Sequence, residues 1–314
     1  MSLHENVKRL GKRAVWTVAP GLYGRLSKKS GAQMSIGIFR GDSPFTLAPH
    51  PGVTNPVVTK EHVTDLPAAF VADPFMIRHE DRWLMFFEVF SRIDYRGSIG
   101  LATSPDGLRW VYDRIVLKQP FHLAYPQVFQ SGGDFFMVPD TPGQGIRLYR
   151  AEPFPHRWRY VRTLVDGPCW CDPTVFTHDD RWWMLVASSE AKDLGYSLRL
   201  LCSDSLEGQW REHAASPIRT NSLIGTRPSG RVLAIGGRLV RFAQDCSPHY
   251  GSAVRAWNIT TLTESLFSES EAASTKVLQG SGAGWNADGM HHVDAHLGSD
   301  GAWLACVDGW RWSE

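Results

Sequence analysis

Acidic side chains return at matched places along this chain of 314 residues, and the pattern suggests a common chemistry. Three runs align without a gap: ADPFMIRHEDRWLMFFE from Ala72, AYPQVFQSGGDFFMVPD from Ala124 and CDPTVFTHDDRWWMLVAS from Cys171. Two weaker copies follow, PSGRVLAIGGRLVRFAQD from Pro228 and HHVDAHLGSDGAWLACVDG from His291. Their matched starts are Asp73, Tyr125, Asp172, Ser229 and His292, and about fifteen residues on stand Glu88, Asp140, Ser188, Asp245 and Asp308. If each copy is a hairpin, its start lies beside its end, and the two sets form polar rings around one mouth. Carboxylates mixed with Tyr, His and Arg suit a polyhydroxylated ligand, which takes several hydrogen bonds at once.

Other chemistries find less support. His292, Asp294 and His296 fall on one face of a strand, because side chains alternate, and offer metal ligands in a central channel. The competing reading is that they hydrogen-bond one another and water, and no cofactor is otherwise expected. Glycines do not form G-x-G-x-x-G or a P-loop, and no G-x-S-x-G elbow points to a hydrolase triad.

The elements that must position these residues are strands. Short apolar runs broken by HEDR, SGGD, HDDR, IGGR and GSDG turns read as tight hairpins, and long 3.6-period stretches are absent after residue 35. Copies spaced roughly 50 to 60 residues apart, each with room for four strands, predict an all-β, five-bladed β-propeller. Outer strands follow the first three hairpins and share a tryptophan, Trp110, Trp158 and Trp210, for which packing is the expected role. The fifth hairpin lacks outer strands of its own. Ser35–Ile38 repeats the SIG of residues 98–100, so the N-terminal segment is expected to close the ring and remove the open edge. The domain division is therefore a basic arm, 1–34, and a propeller, 35–314.

A formal net charge of +1 supplies no field for nucleic acid. The first thirty residues concentrate Lys8, Arg9, Lys12, Arg13, Arg25, Lys28 and Lys29, a local surface for a membrane or an acidic partner, although a solvated arm is the plainer expectation. No apolar run is long enough to span a bilayer, and no secretory leader is evident. Five cysteines without a C-x-x-C pair are expected to be reduced thiols in a cytoplasm.

Longer motifs carry a resemblance: NPVVTKEHVTDLPAAFVADPF, the HLAYPQVF run from His122, RFAQDCSPHYG with VRAW after it, and the HH-x-D run at His291. Over roughly residues 35 to 309 the chain resembles the N-terminal propeller domain of the plant glucosamine inositolphosphorylceramide transferases and its bacterial relatives. In the plant proteins that domain precedes a separate glycosyltransferase domain, to which nothing here corresponds. The fold so implied is similar to five-bladed glycosidases acting on arabinose, xylose and fructose units, which use two Asp and a Glu acid. By motif, Asp73 is the expected nucleophile or base and Asp172 the transition-state stabiliser. Arg227 stands where the acid is sought, leaving Glu88 as the expected acid and Glu190 as its substitute. Arg96, His122, Tyr125, Asp140, Arg227, Asp245, His291, His292 and Asp294 are the expected substrate-binding residues. The resemblance implies a carbohydrate-active enzyme that transfers or hydrolyses a glycosyl group in glycoconjugate or polysaccharide biosynthesis, with a sugar or glycoconjugate as substrate. A non-catalytic glycan- or partner-binding propeller is the alternative.

Overall fold

Apolar residues fill both faces of the central strands here, as in the run LMFFEVF, and that requires neighbours on both sides. The computed structural model describes residues 31–167, 169–189, 195–273 and 275–312 and supplies those neighbours as five antiparallel sheets, the blades of a five-bladed β-propeller. Blade I consists of Ala68–His79, Arg82–Ser91, Gly97–Ser104 and Val111–Leu117. Blade II consists of Ala124–Ser131, Asp134–Asp140, Ile146–Ala151 and Trp158–Val165. Blade III begins with Trp170–His178, Arg181–Ser188 and Tyr196–Ser203, and blade IV is built on Ile224–Pro228, Arg238–Asp245, Ala253–Leu262 and Phe267–Glu271. Blade V pairs Val293–Leu297 with Trp303–Trp312 and is completed by Ala32–Gly41 and Ala48–Pro49. The N-terminal strand thus closes the ring, with Ser35 opposite Gly309 and Ile38 opposite Cys306 in a ladder running from Ala32–Trp312 to Gly41–Trp303. Residues 1–30, and with them nearly all of the basic arm, lie outside the described residues.

Side-chain alternation divides each blade between two cores. Met85, Phe87 and Val89 pack towards blade V with Ile36, Ile38 and Cys306, while Leu84 and Phe86 pack towards blade II with Val128, Met137 and Tyr149. Equivalent cores fill the spaces between II and III, III and IV, and IV and V. The same alternation aims Glu88 at blade II and Asp308, one residue past Val307, at blade I.

Hairpin chemistry fits the expected turns. Gly132–Gly133, Asp179–Asp180 and Gly236–Gly237 all have positive φ at both central positions, the twist that two-residue hairpins need. The repeated tryptophans brace the turn before the outermost strand: the indole N–H groups of Trp110, Trp158 and Trp210 donate to the carbonyls of Gly107, Pro155 and Leu206 at 2.9 to 3.0 Å. Among the described residues no helix is long and apolar enough to cross a membrane.

Candidate active site at the propeller mouth

The innermost strands of blades I, II and III share one local defect. Opposite two steps on the neighbouring strand they take three: Ala72 to Phe75, Ala124 to Gln127 and Cys171 to Thr174. The extra residue makes a β-bulge, and the Pro inside each bulge has no N–H to lose from the ladder. Asp73, Tyr125 and Asp172, the residues before these prolines, take left-handed backbone with φ of 51°, 48° and 54°. For a residue other than glycine this conformation costs about 1 to 3 kcal/mol and persists where the surroundings enforce it. The rotation turns the bulge N–H sideways to the acid of the preceding blade. Asp73 N donates to Asp308 Oδ2 at 3.0 Å, and the Asp140 carboxylate faces the backbone of Asp172 in the same way.

Blade IV departs from the expected register. Its bulge spans Ile224 to Pro228, four steps against two, so Ser229 lies beyond the bulge rather than at the position of Asp73. Ser229 is fully buried, its Oγ donating to the His291 carbonyl at 2.6 Å. Arg227, inside the bulge, is the residue that reaches the mouth. Its Nε donates to Asp172 Oδ2 at 2.7 Å, and its guanidinium lies between the rings of Tyr196 and Tyr250, 5.1 and 5.0 Å from their centroids.

Asp73, Glu88, Asp140 and Asp172 thus converge from three blades. The site is more closed than the open, water-filled mouth that polar strand ends suggest, since Asp73 is 7% and Asp172 2% exposed. The loop after Asp245 accounts for part of the cover, with the Tyr250 ring 5.3 Å from that of His291. Burial, more than neighbouring charge, raises the Asp73 carboxyl to about 7; Asp308 and Asp172 add to the rise, and His291 and Arg227 oppose it. Glu88 is pushed well above the usual carboxylate range by burial and then by Asp73, Asp140, Asp308 and Asp172, and Asp140 by burial and then Asp172. Glu88 Oε1 and Asp140 Oδ1 have no hydrogen-bond partner. His122 accepts the Gly97 N–H at Nδ1, 2.9 Å, so its Nε2 carries the proton and faces Glu88 Oε1 at 3.5 Å. Burial lowers this imidazole to about 4 and keeps it neutral.

On the fifth blade, Asp308 Oδ1 accepts from the His291 N–H and meets His291 Nδ1 at 2.7 Å, and His291 Nε2 stands 3.5 Å from Asp73 Oδ1. Burial opposes charge on His291, but Asp308 and Asp73 outweigh it and raise the imidazole. His292 is fully buried with neither ring nitrogen bonded, its ring edge-on to Phe75 and Tyr125, and burial lowers it to about 4.

Three expected ligand residues are placed elsewhere. Tyr125 is fully buried; its hydroxyl meets Thr174 Oγ1 at 2.8 Å, donates to the Gly230 carbonyl at 3.2 Å and accepts the Gly230 N–H at 2.7 Å, tying blades II, III and IV across the axis. Asp294 sits deeper in the channel, ion-paired to Arg231 and accepting from Met76 N at 2.7 Å; burial alone would raise its carboxyl, but Arg231 and His296 outweigh it and hold it well below the usual range. That pairing consumes the Asp of the expected His292, Asp294 and His296 metal set, whose His296 Nε2 lies 3.1 Å from Asp294 Oδ2. Asp73, His291 and Asp308 do bring one donor atom each within 4.8 Å of one another, but His291 Nδ1 and Asp308 Oδ1 are already bonded to each other. Asp245 is held by Arg255 Nε at 2.8 Å and by the Ser247 N–H at 3.1 Å. Arg96 is exposed in the turn that closes on Ser91, at the mouth end of blade I. Glu190 lies outside the described residues. Tyr196, Tyr250 and Gln244, whose Nε2 is 3.5 Å from Asp172 Oδ2, were not picked out by the repeat; Tyr250 and Gln244 both lie in the RFAQDCSPHYG run.

Fold and site define the class: a five-bladed propeller with a buried carboxylate cluster at one mouth. Solved structures share the frame. A thermostable family-43 glycoside hydrolase superposes with a TM-score of 0.59 at 16% identity, over 82% of this chain and 91% of that one. The Bombyx mori GH32 β-fructofuranosidase BmSUC1 gives 0.57 at 13% identity, over 81% and 58%.

The family is fixed by sequence. The model for the N-terminal region of glucosamine inositolphosphorylceramide transferase 1 matches residues 27–310, and the chain belongs to that family. The Arabidopsis thaliana glucosamine inositolphosphorylceramide transferase 1 is 34% identical over 327 residues, 94% of this chain and 42% of its own length. The Oryza sativa subsp. indica relative of the same name is 33% identical over 298 residues, 88% of this chain and 40% of its own. The chain therefore spans about two fifths of these relatives.

Proposed function

We propose that this propeller is a carbohydrate-active enzyme that transfers or hydrolyses a glycosyl group in glycoconjugate assembly. The observation that carries the reading is the pair of bulge aspartates, Asp73 and Asp172, held in left-handed backbone on blades I and III within one buried carboxylate cluster. Glycosyl chemistry needs one carboxylate at the anomeric centre or on the attacking group, and an acid for the leaving oxygen. Asp73, which takes up its proton near neutral pH, is the base or nucleophile. Asp172, paired with Arg227, supplies fixed negative charge against the oxocarbenium-like transition state. Glu88, protonated through burial and like charge, is the acid. His122 beside Glu88, Asp140 beside Asp172 and the Arg227 paired with Asp172 flank the same cluster and are the residues for hydroxyl recognition. The names of the family's curated relatives support a glycoconjugate substrate.

Turnover of a panel of sugar nucleotides and aryl glycosides tests the reading, with Asp73→Asn, Asp172→Asn and Glu88→Gln as controls. Release or transfer of sugar by the parent protein, abolished in all three variants, is expected. Saturable sugar binding without turnover would favour a glycan-binding module. Fold alone does not decide between the two readings, so the turnover measurement does.

A further inference from the structure

Asp308 is spent entirely on two neighbours. Its Oδ2 accepts the Asp73 N–H at 3.0 Å, and its Oδ1 takes the His291 N–H at 3.1 Å and meets Nδ1 at 2.7 Å. Nδ1 is therefore the donor to Asp308. The imidazole plane is fixed, and the other nitrogen, Nε2, is presented to Asp73 Oδ1 at 3.5 Å. Nothing in the proposed reaction uses His291 or Asp308, yet both are almost wholly buried, His291 at 3% and Asp308 at 0% exposure. Two buried charges are retained at such cost only where each compensates the other or a third group.

We propose that Asp308 and His291 act on Asp73 as positioning residues: the aspartate locks the imidazole, and the imidazolium orients the Asp73 carboxylate and favours its ionised form. The inference rests on the reading of Asp73 as the base or nucleophile. Other groups facing Asp73 are His292, its Nδ1 3.8 Å from Asp73 Oδ1, with Asp140 from blade II, Asp172 from blade III, Arg227 from blade IV and Glu88 from its own blade. Those facing His291 are Asp308, Asp73, Arg227 and the Tyr250 ring. Asp172 adds negative charge around Asp73, whereas Glu88 is held protonated and His292 is neutral. Arg227 is already paired with Asp172, which leaves His291 as the cation placed to serve Asp73.

The test is a carboxyl carbon NMR titration of protein labelled at aspartate, in EDTA, with Asp73 identified by its loss in Asp73→Asn. Ring nitrogen shifts follow His291 in the same samples. In the parent protein His291 is expected to stay protonated to higher pH than a free imidazole, and to lose that excess in Asp308→Asn. His291→Asn keeps an amide where Nδ1 bonds Asp308, and His291→Gln keeps one where Nε2 faces Asp73; neither carries charge. In both, the Asp73 midpoint is expected to rise by about one unit or more, a tenfold change in its ionisation constant. A parent His291 that titrates like a free imidazole, or an Asp73 midpoint unmoved in the variants, would overturn the proposal. The measurement needs no turnover, so its failure is separate from failure of the enzyme reading. Shifted midpoints in a protein that turns nothing over would keep the coupling and remove only the reaction.

Discussion

At the scale of single residues, one buried cluster holds carboxylates whose replacement acts in opposite directions. Asp73 ionises near 7 in the folded protein and near 3.8 in the unfolded chain, so the folded state keeps a proton that the unfolded state has released. Its contribution to stability is complete below about 4 and is lost as pH rises through about 7; Glu88 and Asp140 act in the same sense. Asp73→Asn is expected to melt a few degrees above the parent at pH 8, with a smaller gain or none at pH 5, while abolishing turnover. Thermal scans at the two pH values check this. Asp172→Asn should behave differently, melting lower at both, because Arg227 keeps a buried charge whose partner has gone. Tyr125→Phe removes the hydroxyl that the Gly230 N–H and Thr174 share, and an unsatisfied buried group costs roughly 1 to 3 kcal/mol. Urea denaturation should show that loss with sugar binding unchanged; weakened binding at unchanged stability would return Tyr125 to the ligand.

At the scale of elements, the closing strand and the blade IV bulge carry the expectations. Deletion to Arg40 removes nearly all of the ladder between Ala32–Gly41 and Trp303–Trp312 and exposes an apolar edge, so soluble yield and cooperative melting should collapse; deletion of residues 1–30 should change neither. Gly230 has φ of 126°, and a Cβ there would stand 1.7 Å from the Val293 carbonyl of the next blade. Gly230→Ala is expected to cost about 3 kcal/mol or more, measured by denaturant unfolding. These elements also show why the sequence was readable in part. Blades I to III were legible because one extra residue before a Pro, a two-residue turn and a fixed strand length recur together. Ser35–Ile38 was legible because it repeats Ser98–Gly100. Blade IV was misaligned because its bulge holds one residue more, which strand alternation alone does not reveal. Glu88, Asp140 and Asp308 followed from the repeat, since strand ends meet strand starts. Tyr196 and Tyr250 did not, because they reach the mouth from outside the repeated hairpin. Burial was also beyond the pattern: a polar residue at a strand end looks the same whether or not a loop folds over it.

At the scale of the whole molecule, the five blades are held by the five cores between them, so each blade depends on its neighbours around the ring. The closing ladder joins the first described strand to the last, through almost the whole length of the chain. During synthesis, therefore, Ala32–Gly41 leaves the ribosome without its partner and waits while blades I to IV are made. The Asp308 that completes the cluster arrives late as well, on the same strand that receives the waiting one. Assembly of the cluster and closure of the ring are then a single late event. Ribosome-stalled chains ending before Trp303 should be cut readily by protease within the N-terminal strand, whereas chains extended beyond Trp312 and clear of the exit tunnel should resist. A nascent chain protected before Trp303 emerges would mean that another edge shelters the strand until its partner appears.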